Sequence, residues 1–61
     1  MKHYQVTVTR KGRWWMVHIP EIDGLTQTRH IRKARRVARE SIAVALDLNP
    51  DDITVDVHFE P

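Results

Sequence analysis

The chain has 61 residues, no cysteine, and ten Lys and Arg against eight Asp and Glu, for a formal net charge of +2. That length makes one domain close to the minimum that folds alone, burying only about 60% of the surface its unfolded chain exposes. With no thiol, neither a disulfide nor a thiolate metal site reinforces so thin a core. Association with a second copy or a partner is the usual remedy. The opening MKHYQVTVTR has no apolar h-region and no apolar run reaches bilayer length. Neither a signal peptide nor a membrane span is therefore expected, and the location expected is cytoplasmic.

From His3 to Arg10 the chain alternates. Tyr4, Val6 and Val8 fall on one side and His3, Gln5, Thr7 and Thr9 on the other, the pattern of a half-buried strand rich in β-branched residues. Lys11-Gly12 supplies a turn, where glycine permits positive φ. A two-residue turn at Lys11 and Gly12 predicts Arg10 opposite Arg13, Val8 opposite Trp15, Val6 opposite Val17 and Tyr4 opposite Ile19. On the other face it predicts Thr9 opposite Trp14, Thr7 opposite Met16 and Gln5 opposite His18. A slip of one residue would turn a whole strand over. This register assigns Trp15 to the core and leaves Trp14 and Met16 outside.

Pro20 cannot donate to a sheet ladder and ends the second strand. Asp23-Gly24 makes another turn, and Leu25 to Thr28 reads as a short third strand at an edge. A helix is predicted from about Ile31 to Asp47. Ile31, Ala34, Ala38, Ile42 and Ala45 recur at helical spacing as one stripe, flanked by Val37 and Leu46. Arg32, Arg36 and Arg39 lie on the opposite side, with Lys33 and Glu40 near them. Asn49 suits the left-handed residue that follows a helix, and Pro50 stops the helix from continuing. Ile53, Val55, Val57 and Phe59 alternate with Thr54, Asp56, His58 and Glu60 in a fourth strand.

The expected fold class is α+β. It is a single domain over residues 1–61, with a β-β-β-α-β order and one helix packed on the apolar face of a four-stranded sheet. Strand four follows strand three through a helix and so runs parallel to it. Placed beside strand one, it lets the crossover cover the core face.

The stretch YQVTVTRKGRWWMVHIPEIDGLTQT resembles HicB-like antitoxins of type II toxin–antitoxin pairs. The resemblance rests on Tyr4 in the first strand, the hairpin, and Trp14 and Trp15 in the second strand. It continues in the corner of Pro20, Glu21, Ile22 and Gly24, and in Thr26 of the third strand. A helix with a small residue in its first turns, here Ala34, follows in that family too. The resemblance implies a truncated RNase H-like fold with strand order 3-2-1-4, and a domain that binds proteins and dimerises, neutralising a small ribonuclease toxin. Two departures stand out. Many family members carry a separate C-terminal DNA-binding domain, so the resemblance is to a short form without one. The family's helix also opens with a Thr or Ser cap and acidic residues, whereas this one opens with RHIRKARR. His30 is a poor cap. Arg32 and Lys33 sit near the positive end of the helix dipole, at a cost of about 0.3–1 kcal/mol per exposed charge.

Four sets of residues are candidates for chemistry. The first is the basic run Arg29, Arg32, Lys33, Arg35, Arg36 and Arg39. It suits phosphates or an acidic surface, or else is a solvated helix face partly neutralised by Glu40. No recognition motif of a nucleic-acid-binding fold accompanies it, so any such binding would be to backbone and salt-sensitive. The second is the outer sheet face, with Trp14, Met16, His18, Gln5, Thr7 and Thr9. An exposed Trp beside an exposed Met has the composition of an interface hot spot. The plain alternative is a lone surface Trp lying over a neighbouring Thr. The third is His3, His18 and His58, all on the outer face. They do not converge as metal ligands must, and no metal or other cofactor is expected. The fourth is catalysis. An RNase H-type nuclease gathers several carboxylates around two metal ions. The first strand here has none, Glu21, Asp23, Asp51 and Asp52 lie in loops, and Ser41 has no histidine at helical spacing. No enzymatic activity is expected.

The sequence therefore points to a non-catalytic HicB-like interaction module, a homodimer that binds a toxin or a host protein through Trp14, Met16 and a strand edge. A ribonuclease toxin would itself be basic and repelled by the helix, which favours the sheet face. The alternative is a small basic nucleic-acid-binding protein using the 29–39 helix face. A bacterial or phage remnant that has lost its toxin and gained a host target would read the same way.

Overall fold

The computed structural model describes residues 2–60. Strand β1 spans Lys2–Lys11 and strand β2 Trp14–Ile19; a 3-10 turn Pro20–Ile22 leads to strand β3, Gly24–Thr28. A second 3-10 turn, Ile31–Lys33, runs into helix α1, Ala34–Leu46; a third, Pro50–Asp52, leads to strand β4, Ile53–Glu60. The four strands form one mixed sheet in the order β3-β2-β1-β4. The neighbours β1 and β2, and β2 and β3, are antiparallel, and β1 and β4 are parallel. The fold is α+β with the topology that the alternation and the crossover argument predict.

The hairpin keeps its expected faces but not its expected partners. Val8 pairs with Val17, Thr9 with Met16, Arg10 with Trp15 and Lys11 with Trp14. The loop is therefore Gly12-Arg13, and β2 is displaced by two residues from the predicted register. The reason is the conformation of Gly12. Its φ is +64°, whereas Arg13 is not among the described residues with positive φ. Positive φ at the first loop residue alone is the pattern of a type II′ turn, which takes glycine in that place. A shift of two preserves the period-2 alternation, so Tyr4, Val6, Val8, Val17 and Ile19 still face the core.

That core is completed by Ala34, Ala38, Ile42 and Ala43 from α1 and by Ile53 and Val55 from β4. Trp15 lies on the core face but only half-buried, packed against the cluster's edge with the Arg10 guanidinium 5.7 Å from its ring centroid. The register shift explains this, because it sets Trp15 opposite Arg10 near the hairpin tip.

Three corrections concern the helix. It begins at Ala34, after a 3-10 turn in which Ile31 stays exposed. Its buried stripe ends on Ala43, whereas Ala45 is exposed. Successive i, i+4 positions rotate about 40° around a helix of 3.6 residues per turn, so the sheet-facing direction set by Ala34, Ala38 and Ile42 has turned away from Ala45 by the last turn. The left-handed residue after the helix is Asp47, φ 54°, and the Leu48 N–H returns to the Ala43 carbonyl at 2.9 Å. Asn49 is extended, as a residue before proline should be. Its side-chain oxygen accepts from the Asp51 N–H at 3.0 Å and opens the Pro50 turn.

Two outcomes follow for chemical denaturation. Gly12→Ala places a Cβ where nothing crowds it, so the penalty is conformational alone and is expected at ~1–2 kcal/mol, with Gly12→Asn closer to the parent. Ile42 is fully buried. Ile42→Ala is expected to cost ~2–5 kcal/mol, most of the ~3–9 kcal/mol total that a chain of this size commands. A change under ~1 kcal/mol would mean that α1 is not seated on the sheet by Ile42.

Candidate functional site

Among the described residues, α1 covers one face of the sheet and no element covers the other. On the bare face, β2 presents Trp14, Met16 and His18. Strand β1 sets Lys11, Thr9 and Thr7 opposite them, and β3 sets Gln27 opposite Met16 and Leu25 opposite His18. The apolar residues of this surface are Trp14, Met16 and Leu25; Trp14 is 37% and Leu25 65% exposed, whereas Met16, expected to be exposed, is half-buried. The Arg29 guanidinium lies 5.1 Å from the Trp14 ring centroid, within cation–π range. Arg29 thus belongs to the sheet face and not to the helix.

Leu25 is absent from the residues that sequence reasoning singled out. The missing step was to extend the alternation into β3. Thr28 is buried and Thr26 half-buried on the core side, so Leu25 and Gln27 must point outward. A strand that turns its threonines inward and its leucine to solvent inverts the usual preference. Thr28 accepts the inward position because its hydroxyl accepts from the His30 N–H at 3.3 Å.

Gln5 and Thr7 occupy the other half of this face. The Gln5 side-chain amide donates to Asp56 Oδ2 at 3.1 Å, and its oxygen meets His58 Nε2. His3 Nδ1 lies 3.4 Å from the same Asp56 oxygen. Gln5 is thereby held in a polar chain, His58–Gln5–Asp56–His3, that ties β1 to β4. Thr7 is half-buried between His18 on one side and His58 on the other. The outer face therefore divides into an apolar half over β2 and β3 and a hydrogen-bonded half over β1 and β4. Trp14, Met16 and His18 fall in the first, with Gln5 in the second and Thr7 on the boundary.

The basic run is dispersed. Arg35 donates from Nη1 to the Val55 carbonyl and so covers part of the edge strand β4. Arg36 reaches Glu40 at 4.0 Å. Arg39, expected on the solvent side of the helix, is half-buried, and its Nε is enclosed without a hydrogen-bond partner. Rotation of the buried stripe along α1 carries Arg39 to the margin of the core. Arg32 and Lys33 remain exposed in the 3-10 turn before α1, and neither that turn nor the first turn of α1 has a side-chain cap. With Arg36 they are what is left of a common cationic face.

The carboxylates do not gather. Glu21 and Asp23 belong to the corner before β3, and Asp51 and Asp52 to the turn before β4. Among the described residues no group of three or more His, Asp or Glu side chains is placed to hold a metal ion. No helix among them is long and apolar enough to cross a membrane.

Compared with known proteins, the chain matches no protein-family model, no curated protein and no solved structure.

Proposed function

We propose that this chain is a non-catalytic, HicB-like protein-interaction module. In this reading it acts in the cytoplasm as an antitoxin-like homodimer, with a small toxin or a host protein as its target. The observation that carries the reading is the uncovered apolar patch of Trp14, Met16 and Leu25 on the bare sheet face. Large apolar side chains grouped on a sheet with no covering layer mark interaction surfaces. Trp is also among the residues that dominate binding energy when a partner encloses it. Arg29 over the Trp14 ring supplies a planar cation beside the patch, suited to a carboxylate at its rim. The neighbouring edge of β3 is available for main-chain pairing, which would add affinity with little demand on the partner's sequence.

The alternative, a nucleic-acid binder using the 29–39 face, loses support from the dispersal of its cations. Arg29 stacks on Trp14, Arg35 is tied to β4 and Arg39 is half-buried. Three remaining contacts would give a salt slope no steeper than about −2.7 on B-form DNA.

Two measurements test these readings. Co-expression with a small ribonuclease toxin encoded beside this chain should relieve growth arrest, and Trp14→Ala should weaken binding of that toxin at least about tenfold by titration calorimetry. Unrelieved arrest with intact expression would exclude the antitoxin reading. Binding to a labelled mixed-sequence duplex and single strand, compared at low and moderate salt, should be weak. Tight, salt-steep binding that disappears when Arg32, Lys33 and Arg36 are changed to Gln would instead establish the nucleic-acid function.

A further inference from the structure

Helix α1 carries a second apolar stripe, on the side away from the core. Val37, Ser41, Val44 and Ala45, together with Glu40, line a shallow groove there. Steps of four, three and one residues keep these side chains on one stripe of a helix. Val44 is 85% exposed, the most of any large apolar residue among those described, and Leu48 just past the helix end is 42% exposed.

The charges along this element run against its dipole. Arg32, Lys33, Arg35, Arg36 and Arg39 lie toward its start, and Asp47, Asp51 and Asp52 lie at or beyond its end. An isolated helix favours the reverse arrangement. Arg35 and Arg39 are engaged at the sheet and the core margin and Arg36 pairs with Glu40 on its own helix, but Lys33 and Asp47 have no such internal role. A basic start and an acidic end are complementary when two such helices lie antiparallel.

We propose that this stripe is the contact surface of a symmetric dimer, in which two copies of α1 pack antiparallel about a two-fold axis at Ser41. The proposal deepens, and rests on, the reading of the chain as a self-associating module. In this arrangement Val37 of one copy meets Val44 and Ala45 of the second. Ser41 meets its own counterpart, where its small side chain, with that of Ala45, allows close approach. At a rise of about 1.5 Å per residue, Lys33 and Arg36 lie ~12 and ~7.5 Å from the axis and Asp47 ~9 Å. All three occupy the same flank of the stripe, so Lys33 and Arg36 bracket Asp47 of the second copy. The two Glu40 side chains approach each other near the axis. Each is paired with Arg36 of its own helix at 4.0 Å, so neutral pairs meet there and not bare carboxylates. One occupant is thus specified: an identical copy, through an isologous interface.

Two facing stripes of three turns fall below the ~1,200 Å² of a standard interface, so a dissociation constant on the order of 10–100 µM is expected. Sedimentation velocity of the full chain should show monomer passing to dimer over that range. Val44→Glu changes an exposed residue and should keep the parent circular dichroism while weakening the dimer more than about tenfold. Ser41→Cys, on the axis, should form an intermolecular disulfide on mild oxidation, whereas Leu25→Cys on the opposite face of the molecule should not. A chain that stays monomeric well above that range would overturn the proposal. So would a dimer that survives Val44→Glu and cross-links through Leu25→Cys, because self-association would then use the sheet. Neither outcome touches the toxin-binding reading, which Trp14→Ala tests separately; a monomeric Val44→Glu that still binds the toxin would support both surfaces as independent.

Discussion

A sheet has two faces, and the described residues hold one α-helix with which to cover them. The 13 residues of α1 seal the side on which Tyr4, Val6, Val8, Val17 and Ile19 converge, and among the described residues no element covers the other. Every property of the outer face follows from that shortage. Its residues must be tolerable in water, cross-linked to one another, or covered from outside. The β1–β4 half takes the second course, joining side chains across the strands through the Gln5 amide. The β2–β3 half does not. There Trp14, Met16 and Leu25 share the face with His18 and Gln27, and Arg29 lies over the indole.

The arginines show how a charge run can mislead when it is read as one surface. Six basic residues within eleven positions suggest a single positive face. In the fold they serve different ends, because they are spread over the loop after β3, a 3-10 turn and α1. Arg29 goes to an aromatic ring, Arg35 to an edge carbonyl, Arg36 to a carboxylate one turn away and Arg39 to the margin of the core. Long side chains with apolar stems do this readily, lying along hydrophobic surface while the head finds a partner.

What was legible in the residues was whatever depends on period and on hard backbone limits. The alternation of Tyr4, Val6 and Val8 defines the core face of β1, Pro20 ends β2, and the crossover places β4 beside β1. These inferences survive small errors because parity is insensitive to a slip of two. Quantities that depend on a single residue's φ were not legible. Whether Gly12 stands first or second in its loop shifts the partners of the whole hairpin, and Lys-Gly-Arg does not announce which. Asp47 and Asn49 both tolerate the left-handed region, and only the proline after Asn49 decides between them. The apolar stripe was correct at Ala34, Ala38 and Ile42 and failed at both ends, at Ile31 before the helix and at Ala45. An unbroken periodic pattern assumes a straight seam, whereas the seam here turns around the helix. Leu25 was missed for a different reason. Five residues with two inward threonines do not look like a strand with an outward apolar side chain until the pairing with β2 is known.

The parallel pairing of β1 with β4 also governs the order in which the molecule can be finished. Lys2 is the partner of Ile53 and Thr9 of Glu60, so β1 is completed by β4, a strand far along the sequence. The hairpin and β3 can assemble from neighbouring sequence, but β1 keeps one open edge until β4 is available. Closing a loop of that span is entropically slow compared with forming a hairpin. Meanwhile the exposed edge is a template for any strand that arrives first. During synthesis the nascent chain therefore passes through an interval in which one edge of β1 is unprotected, and folding fidelity rests on how quickly residues Ile53–Glu60 follow.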